Sequence, residues 1–291
     1  MIYLCTNKNR ESTIMIWIIL AIGLVAVLSA AILFCVAPGK MSPEAKQMAK
    51  AFKGLNCAHR GLHTMDQAIP ENSISAFKAA REGGYGVELD VQLSKDGKVV
   101  VFHDNDLKRV CGIDDWVKNK DWNELSEMPL FDTQERIPLF TDVLETLDET
   151  PVIVELKSAG PSNAKLCEET LKILRKQGKN WCIESFDPRI VAWFKKNAPD
   201  VLRGQLSSPP KDMTGISAVS KILLGNLLTN FMSRPHFLAY SNSSHPLTVK
   251  LCLAMKPIKA IWTILPDHNI EKCEKENDII IFEYYKPTPK F

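Results

Sequence analysis

From Leu55 to the end of the chain, short apolar runs rich in β-branched residues alternate with amphipathic segments that have the spacing of helices. Parallel strands joined by helices produce this pattern, because each strand needs a long crossover to return in the same direction. Eight such runs over roughly 235 residues are the number that closes a barrel. We therefore predict an α/β fold, a (β/α)8 TIM barrel, with an open doubly wound sheet as the alternative. No GxGxxG turn opens a helix, which counts against the open sheet.

The boundaries of these elements follow from the runs themselves. The predicted strands are Leu55–Ala58, Gly86–Val91, Val152–Glu155, Cys182–Ser185, Leu202–Leu206, Phe237–Tyr240, Ala260–Ile264 and Asp278–Phe282. The predicted helices between them include Ser73–Glu82, Lys165–Gln177, Pro188–Ala198, Thr248–Met255 and Ile270–Glu276. A further run, Val99–Phe102, is joined to Leu93 by a link far too short for a parallel crossover, so it predicts an antiparallel hairpin.

The chain begins with a segment of a different kind. Ile14 to Ala37 is a stretch of 24 residues without a single charge. As a helix it would reach about 36 Å, enough for a hydrocarbon core of roughly 30 Å, whereas the apolar region of a cleaved signal peptide runs only about 7–15 residues. We therefore predict one retained transmembrane helix. The chain then divides into an N-terminal tail and anchor (1–37), a tether (38–54) and the barrel domain (55–291).

Basic residues flank both ends of the predicted anchor. Those before it are Lys8 and Arg10, and those after it are Lys40, Lys46, Lys50 and Lys53. The positive-inside rule therefore favours a single-pass protein of the cell membrane with a cytoplasmic barrel. The eight cysteines have no metal-like CxxC spacing, which fits the same side of the membrane. The net charge of +2 does not predict a nucleic-acid binder.

Two carboxylates share one face of the second predicted strand. Apolar residues alternate there with Glu88 and Asp90. Because strand side chains alternate between faces, the two acids point the same way and the apolar residues point the other way. Burying two carboxylates side by side is unfavourable, and a hard cation between them removes the cost. The pattern predicts a cation site.

Two histidines end apolar strands near this pair. His59 follows the first strand, and His103 follows the hairpin strand, which folds back toward Glu88 and Asp90. Two histidines beside a dicarboxylate site suggest a general acid and a general base that flank a metal-bound group.

A third carboxylate lies at the end of the third predicted strand. Glu155 and Lys157 share the inward face there, and taken alone they could form a plain salt bridge. Together with Glu88 and Asp90, Glu155 completes a one-metal site. All its ligands are oxygen atoms, which suits magnesium or calcium better than zinc.

Five short motifs stand in a fixed order along this part of the chain. They are His59-Arg60-Gly61, Pro70-Glu71-Asn72-Ser73, Glu88-Leu89-Asp90, His103-Asp104 and Glu155-Leu156-Lys157. In this order the chain resembles the glycerophosphodiester phosphodiesterases, with Ser73 in place of the family's threonine. The resemblance runs from about Leu55 to the end of the chain. It implies a (β/α)8 barrel and, with the anchor, a bacterial membrane-anchored member.

The resemblance also implies a role for each motif residue. His59 and His103 would be the catalytic acid and base, and Glu88, Asp90 and Glu155 would hold one divalent cation, magnesium or calcium. The phosphate- and substrate-binding residues would be Arg60, Lys157, Glu71, Gln205 and Trp262. The planar guanidinium of Arg60 suits phosphate oxygens.

The predicted activity is metal-dependent hydrolysis of glycerophosphodiesters to glycerol phosphate and an alcohol. One alternative is a lysophospholipase D that acts on membrane lysolipids, and another is a catalytically inactive, membrane-anchored binding module. The inactive module would require a missing ligand or histidine, and none is missing. The predicted partners are a small glycerophosphodiester or lysolipid and the membrane, through residues 14–37, but no nucleic acid.

The role of one long connection is left between two alternatives. Residues 207–235 exceed a usual barrel crossover and carry an apolar helical stripe. The stripe could face the barrel core, or it could lie on the bilayer beside the anchor.

Overall fold

In a computed structural model, described for the backbone of residues 2–291 and the side chains of residues 13–291, eight parallel strands close into a barrel. The strands are β1 (Leu55–His59), β2 (Gly86–Leu93), β3 (Val99–Val101), β4 (Val152–Leu156), β5 (Trp181–Ser185), β6 (Arg203–Ser207), β7 (Phe237–Ser241), β8 (Ile258–Ile264) and β9 (Ile279–Phe282). All except β3 are parallel, and β1 pairs with both β2 and β9, which closes the ring. β3 pairs antiparallel with β2 outside the ring. The predicted TIM barrel and its hairpin are confirmed.

The ring is accompanied by helices, most of which cover its outside. They are α1 (Ile2–Val36), α2 (Pro43–Ala49), α3 (Ile74–Glu82), α4 (Lys108–Cys111), α5 (Trp122–Leu125), α6 (Phe140–Leu147), α7 (Asn163–Gln177), α8 (Pro188–Asn197), α9 (Ala218–Gly225), α10 (Asn230–Ser233), α11 (Leu247–Ala254) and α12 (Ile270–Glu276). The five predicted helices agree with these within one or two residues. Ser73 caps α3, since its hydroxyl oxygen accepts from the amide of Ala76.

The alternation along the strands builds two apolar layers. Val87 and Leu89 on β2 pack in the layer between strands and helices. Residues such as Ile153 and Phe237 pack in a second cluster that fills the ring. Gly204 on β6 leaves the space that the Phe237 ring occupies, because a β-carbon there would lie 2.1 Å from that ring. This filled interior supports the polar residues at the carboxyl ends of the strands.

The segment predicted as a tether is folded against the barrel. Ser42 caps α2, and Phe52 is fully buried in the cluster that fills the ring. The amide of Gly39 donates to the carbonyl of Pro235 at 2.8 Å. Residues 38–54 therefore hold the preceding helix close to the barrel rather than at a distance.

The apolar part of α1, Thr13–Val36, is long and apolar enough to cross a membrane, and a signal sequence near the N-terminus would meet the same test. Its last residue, Val36, is fully buried against Leu227, Leu238 and other residues of the barrel. Lys8 and Arg10, on which the topology prediction partly depends, lie outside the residues whose side chains the structure describes.

Candidate active site

Three carboxylates meet at the carboxyl ends of β2 and β4. Because the two strands are parallel neighbours, Asp90 stands beside Glu155 in the register, and Glu88 lies two residues earlier on the same face. One oxygen of each carboxylate lies within 4.8 Å of the others, and all three residues are buried. The predicted oxygen-only cluster is thus assembled by the fold.

The electrostatics of the cluster fit a bound cation. Burial raises the pKa of Glu88 well above its ordinary value, and the charges of Asp90 and Glu155 raise it further. Oδ1 of Asp90 is buried and accepts no hydrogen bond from the described residues, although the ammonium group of Lys157 is close enough for an ion pair. Buried carboxylates that repel one another are stabilised when a divalent ion is shared between them. The donor set is therefore suited to a hard divalent cation.

Lys157 supplies part of the opposing charge. Its Nζ lies 2.8 Å from Oε1 of Glu155 and 3.4 Å from Oδ1 of Asp90. Burial acts to raise the pKa of Asp90, but the charges of Lys157, His103 and Arg60 outweigh it and hold that pKa well below its usual range. These neighbouring positive charges therefore favour the ionised form of Asp90.

Arg60 is fixed by its backbone as well as its side chain. It adopts a left-handed conformation, with φ of 55°, directly after β1. Its amide donates to Oε2 of Glu88 at 3.2 Å, and its Nη1 donates to Oε1 of Glu71 at 2.8 Å. Asn72, next to Glu71, donates from Nδ2 to Oδ2 of Asp90 at 2.9 Å. The motif Pro70–Ser73 thus holds Arg60 and Asp90 in place and also caps α3.

His59 is oriented by Glu283, which follows the last strand, the neighbour of β1 where the barrel closes. Its Nδ1 lies 2.6 Å from Oε1 of Glu283, which follows β9. Its Nε2 lies 3.6 Å from Oε2 of Glu88 and so faces the carboxylate cluster. Burial lowers the pKa of His59 and so does the charge of Arg60, while Glu283 opposes them. Nε2 of His63 also lies 3.4 Å from Oε1 of Glu283.

His103 is held in the same way by its neighbour in sequence. Its Nδ1 lies 2.6 Å from Oδ1 of Asp104. Arg109 donates from Nε to the other oxygen of Asp104 at 2.6 Å and forms two hydrogen bonds to Glu71, at 2.7 and 2.9 Å. Gln92 on β2 donates to the backbone carbonyls of His103 and Asp104. These contacts fix the end of the hairpin on the rim of the site.

A small cavity of about 50 Å³ joins most of the predicted site residues. It is lined by His59, Arg60, Glu88, His103, Glu155, Glu184, Phe186, Leu206, Trp262 and Ile281. Trp262 packs edge-on against Phe186, with ring centroids 5.5 Å apart, and its indole donates to the carbonyl of Ala239. Gln205 is placed differently, since its amide nitrogen donates to the backbone carbonyls of Ser185, Phe186 and Leu206. It lies outside the residues that line this cavity.

Sequence reasoning did not identify three residues of this site. Glu184 on β5 stands beside Glu155 in the register and is buried, and burial raises its pKa well above the ordinary value. Strand alternation places Glu184 on the same face of β5 as Cys182, so the sequence pattern could have identified it. Glu283 directly follows the last strand, a position that favours a site residue in a barrel. Arg109 lies in an irregular insertion and gave no such signal.

Comparison with known proteins agrees with this geometry. The profile of the glycerophosphoryl diester phosphodiesterase family matches residues 59–281. A glycerophosphodiester phosphodiesterase of Caldanaerobacter subterraneus is 34% identical over 165 residues, which cover 53% of this chain and 67% of that protein. A lysophospholipase D of Rattus norvegicus is 35% identical over 100 residues, covering 30% of this chain and 32% of that one. The match spans about two thirds of the length of the Caldanaerobacter protein and of two proteins of Bacillus subtilis, and less of other bacterial relatives.

Solved structures share the fold over most of the chain. A glycerophosphodiester phosphodiesterase from Thermotoga maritima has a TM-score of 0.59 and 28% identity, covering 78% of this chain and 93% of that one. A phosphodiesterase from Oleispira antarctica, solved with its product sn-glycerol-3-phosphate, has a TM-score of 0.64 at 23% identity, covering 82% and 96%. The fold and site define a phosphoric diester hydrolase built on a TIM barrel. The chain belongs to the glycerophosphoryl diester phosphodiesterase family.

Proposed function

We propose that this enzyme hydrolyses glycerophosphodiesters to glycerol phosphate and an alcohol, with a divalent cation and two histidines. The observation that carries the proposal is the single cavity where His59, His103 and two of the clustered carboxylates meet. A cation held by Glu88, Asp90 and Glu155, magnesium or calcium by its ligands, would neutralise charge on the phosphate oxygens. The family match supports the same substrate class.

Each of the two histidines is oriented for proton transfer by a carboxylate. The carboxylates of Glu283 and Asp104 each accept a hydrogen bond from Nδ1 of one histidine. This contact selects the tautomer that leaves Nε2 free to take or give a proton. One histidine would take the proton of the attacking hydroxyl, which we propose is the glycerol hydroxyl next to the phosphate. The other would give its proton to the departing alcohol as the P–O bond breaks, and the roles reverse when water opens the cyclic phosphate.

The remaining site residues would hold the substrate. Arg60 and Lys157 carry the positive charge nearest the carboxylates, and both could pair with phosphate oxygens. Glu71 would keep Arg60 in place through their 2.8 Å contact. The exposed edge of Trp262 could pack on the glycerol carbons. Gln205 would act indirectly, by holding the ends of β5 and β6 behind the residues that line the cavity.

A second candidate substrate is a lysolipid. It is favoured by the apolar helix α1 at the barrel's edge and by similarity to a mammalian lysophospholipase D. We also propose that α1 is a retained anchor of a single-pass cell-membrane protein with the barrel on the cytoplasmic side. Burial of Val36 in the barrel supports retention, because removal of α1 would open that packing.

The test is an assay of the purified full chain in detergent against glycerophosphodiesters and lysolipids, with and without chelator. We expect release of glycerol phosphate from the water-soluble diesters, lost in EDTA and restored by magnesium or calcium. Cleavage of lysolipids alone would replace the first substrate class by the second. No release of product from either class, with every metal tried, would overturn the proposal.

A further inference from the structure

The outer face of α9 is apolar where a barrel helix normally shows charge. Val219, Ile222 and Leu223 lie on one face of this helix, at spacings of three and four residues, and are 66%, 54% and 40% exposed. Among the residues of α9, only Gly225 is buried. The predicted stripe is therefore divided between the two alternatives left open by the sequence, since Leu227 is buried in the core whereas Val219, Ile222 and Leu223 face outward. The exposed stripe needs another explanation.

The apolar face continues through α10 to the end of α1. Phe231 and Met232 on α10 are 41% and 39% exposed. The ring of Phe231 stacks on that of Phe34, with centroids 6.2 Å apart. The guanidinium carbon of Arg234 lies 4.5 Å from the centroid of the Phe34 ring, and Nη1 of Arg234 donates to the backbone carbonyl of Phe34. The apolar stripe therefore adjoins the point where the candidate membrane helix joins the barrel, and the joint is packed.

The charge of this region complements an anionic surface. Between residues 207 and 256 the only acidic side chain is Asp212. The basic ones are Lys211, Lys221, Arg234, Lys250 and Lys256. Five positive charges less one negative give +4 here, against +2 for the whole chain. Of these, Lys221 lies on α9 itself and Arg234 directly follows α10. Basic residues beside an apolar surface favour contact with anionic lipid headgroups.

We propose that the α9–α10 surface, formed by Ile216, Val219, Ile222, Leu223, Phe231 and Met232, rests on the anionic bilayer that α1 enters. The proposal rests on the retention of α1 as an anchor. The apolar side chains enter the interface, and Lys221 and Arg234 lie at the headgroups. The loop that leads into α9 also contributes Ser208 and Asp212 to a cavity shared with Trp262. Because Trp262 also lines the candidate active-site cavity, contact with the bilayer would bring headgroups near that site.

The experiment uses the full chain reconstituted in vesicles of phosphatidylcholine and phosphatidylglycerol. A polarity-sensitive fluorophore is attached at Ile222→Cys, in a background where Cys5, Cys35 and Cys111 are replaced by alanine. The other cysteines are buried. The matched control carries the label at Lys78→Cys on α3. This helix lies between β1 and β2, diametrically opposite α9 in the ring, and the Lys78 side chain is 62% exposed.

We expect the label at Ile222→Cys to emit at shorter wavelength in vesicles than the free fluorophore does in buffer. Its fluorescence should also be quenched by nitroxide-labelled lipids. The Lys78→Cys label should do neither. An Ile222→Cys label that resembles the control would overturn the proposal, and so would a blue shift without lipid quenching, which would indicate a protein partner or second copy. A label at Leu24→Cys in α1 must also be quenched, since an uninserted α1 removes the basis of the proposal. Hydrolysis of a water-soluble diester by the same samples reports on the proposed activity separately.

Discussion

Oε1 of Glu283 and Nδ1 of His59 lie 2.6 Å apart although 224 residues separate them in the chain. The contact exists because the ring closes between the first and last strands, where Ala58 pairs with Phe282. His59 is the last residue of β1 and Glu283 follows directly after β9, so the closing register brings the two side chains together. Formation of the acid–base site thus depends on closure of the barrel.

We expect Glu283→Ala to reduce kcat by about 10²-fold or more, since a misoriented histidine loses the contribution of acid–base catalysis. Glu283→Gln should fall between this variant and the natural enzyme, because an amide oxygen can still accept from Nδ1 but carries no charge. Glu283 raises the pKa of His59. Its loss should therefore move the limb of the pH–rate profile that belongs to His59 toward lower pH. An unchanged profile with unchanged kcat would show that the contact has no catalytic role.

A second prediction concerns the carboxylate cluster. A cation that binds only the folded protein, at a hundred times its dissociation constant, adds about 2.7 kcal/mol of stability, or about 5–10 °C in Tm for a domain of this size. EDTA should therefore lower both the activity and the Tm. Glu88→Gln should abolish activity and make the Tm insensitive to EDTA, whereas Glu168→Gln, exposed on α7, should behave as the natural protein. Full activity in the chelated enzyme would exclude the proposed metal dependence.

Topology can be tested with one exposed position. In the background without Cys5, Cys35 and Cys111, Lys78→Cys should stay unlabelled by a membrane-impermeant maleimide in intact cells. It should label rapidly once the cells are permeabilised, because the side chain is exposed. Rapid labelling in intact cells would place the barrel outside the membrane and reverse the orientation inferred from the basic residues.

Strand periodicity was sufficient to predict the barrel and the cluster. Glu88, Asp90 and Glu155 could be placed on inward faces because strand alternation fixes direction without knowledge of neighbours. Glu184 follows the same rule and was overlooked because no motif marked it. Arg109 could not be found in this way, since its contacts with Asp104 and Glu71 depend on the path of an irregular insertion. Gln205 was predicted from its position near the end of a strand. That position does not determine whether its side-chain amide faces the cavity or binds backbone carbonyls.

The last prediction concerns the two histidines. General acid–base catalysis contributes about 10²–10⁴-fold, so His59→Ala and His103→Ala should each reduce the rate by at least that lower value. Both side chains are partly exposed and belong to no apolar cluster, so the Tm and the effect of metal on it should change little. The double variant should be little slower than either single one, because residues that act as a unit are not additive.

The two histidines are held by equivalent contacts, so substrate chemistry must assign their roles. A nitrophenyl phosphodiester has a leaving group that departs without protonation. In the variant that lacks the general acid of the first step it should restore a burst of nitrophenol, followed by slow turnover because the same histidine is the base when water opens the cyclic phosphate. The variant that lacks the general base of the first step should show no burst. Burst and steady-state rates are measured on the nitrophenyl substrate, and steady-state rates on the natural diester, with the same enzyme preparation. Near-normal rates for both single variants on the natural diester would contradict the mechanism, because neither His59 nor His103 would then transfer the proton that the reaction requires.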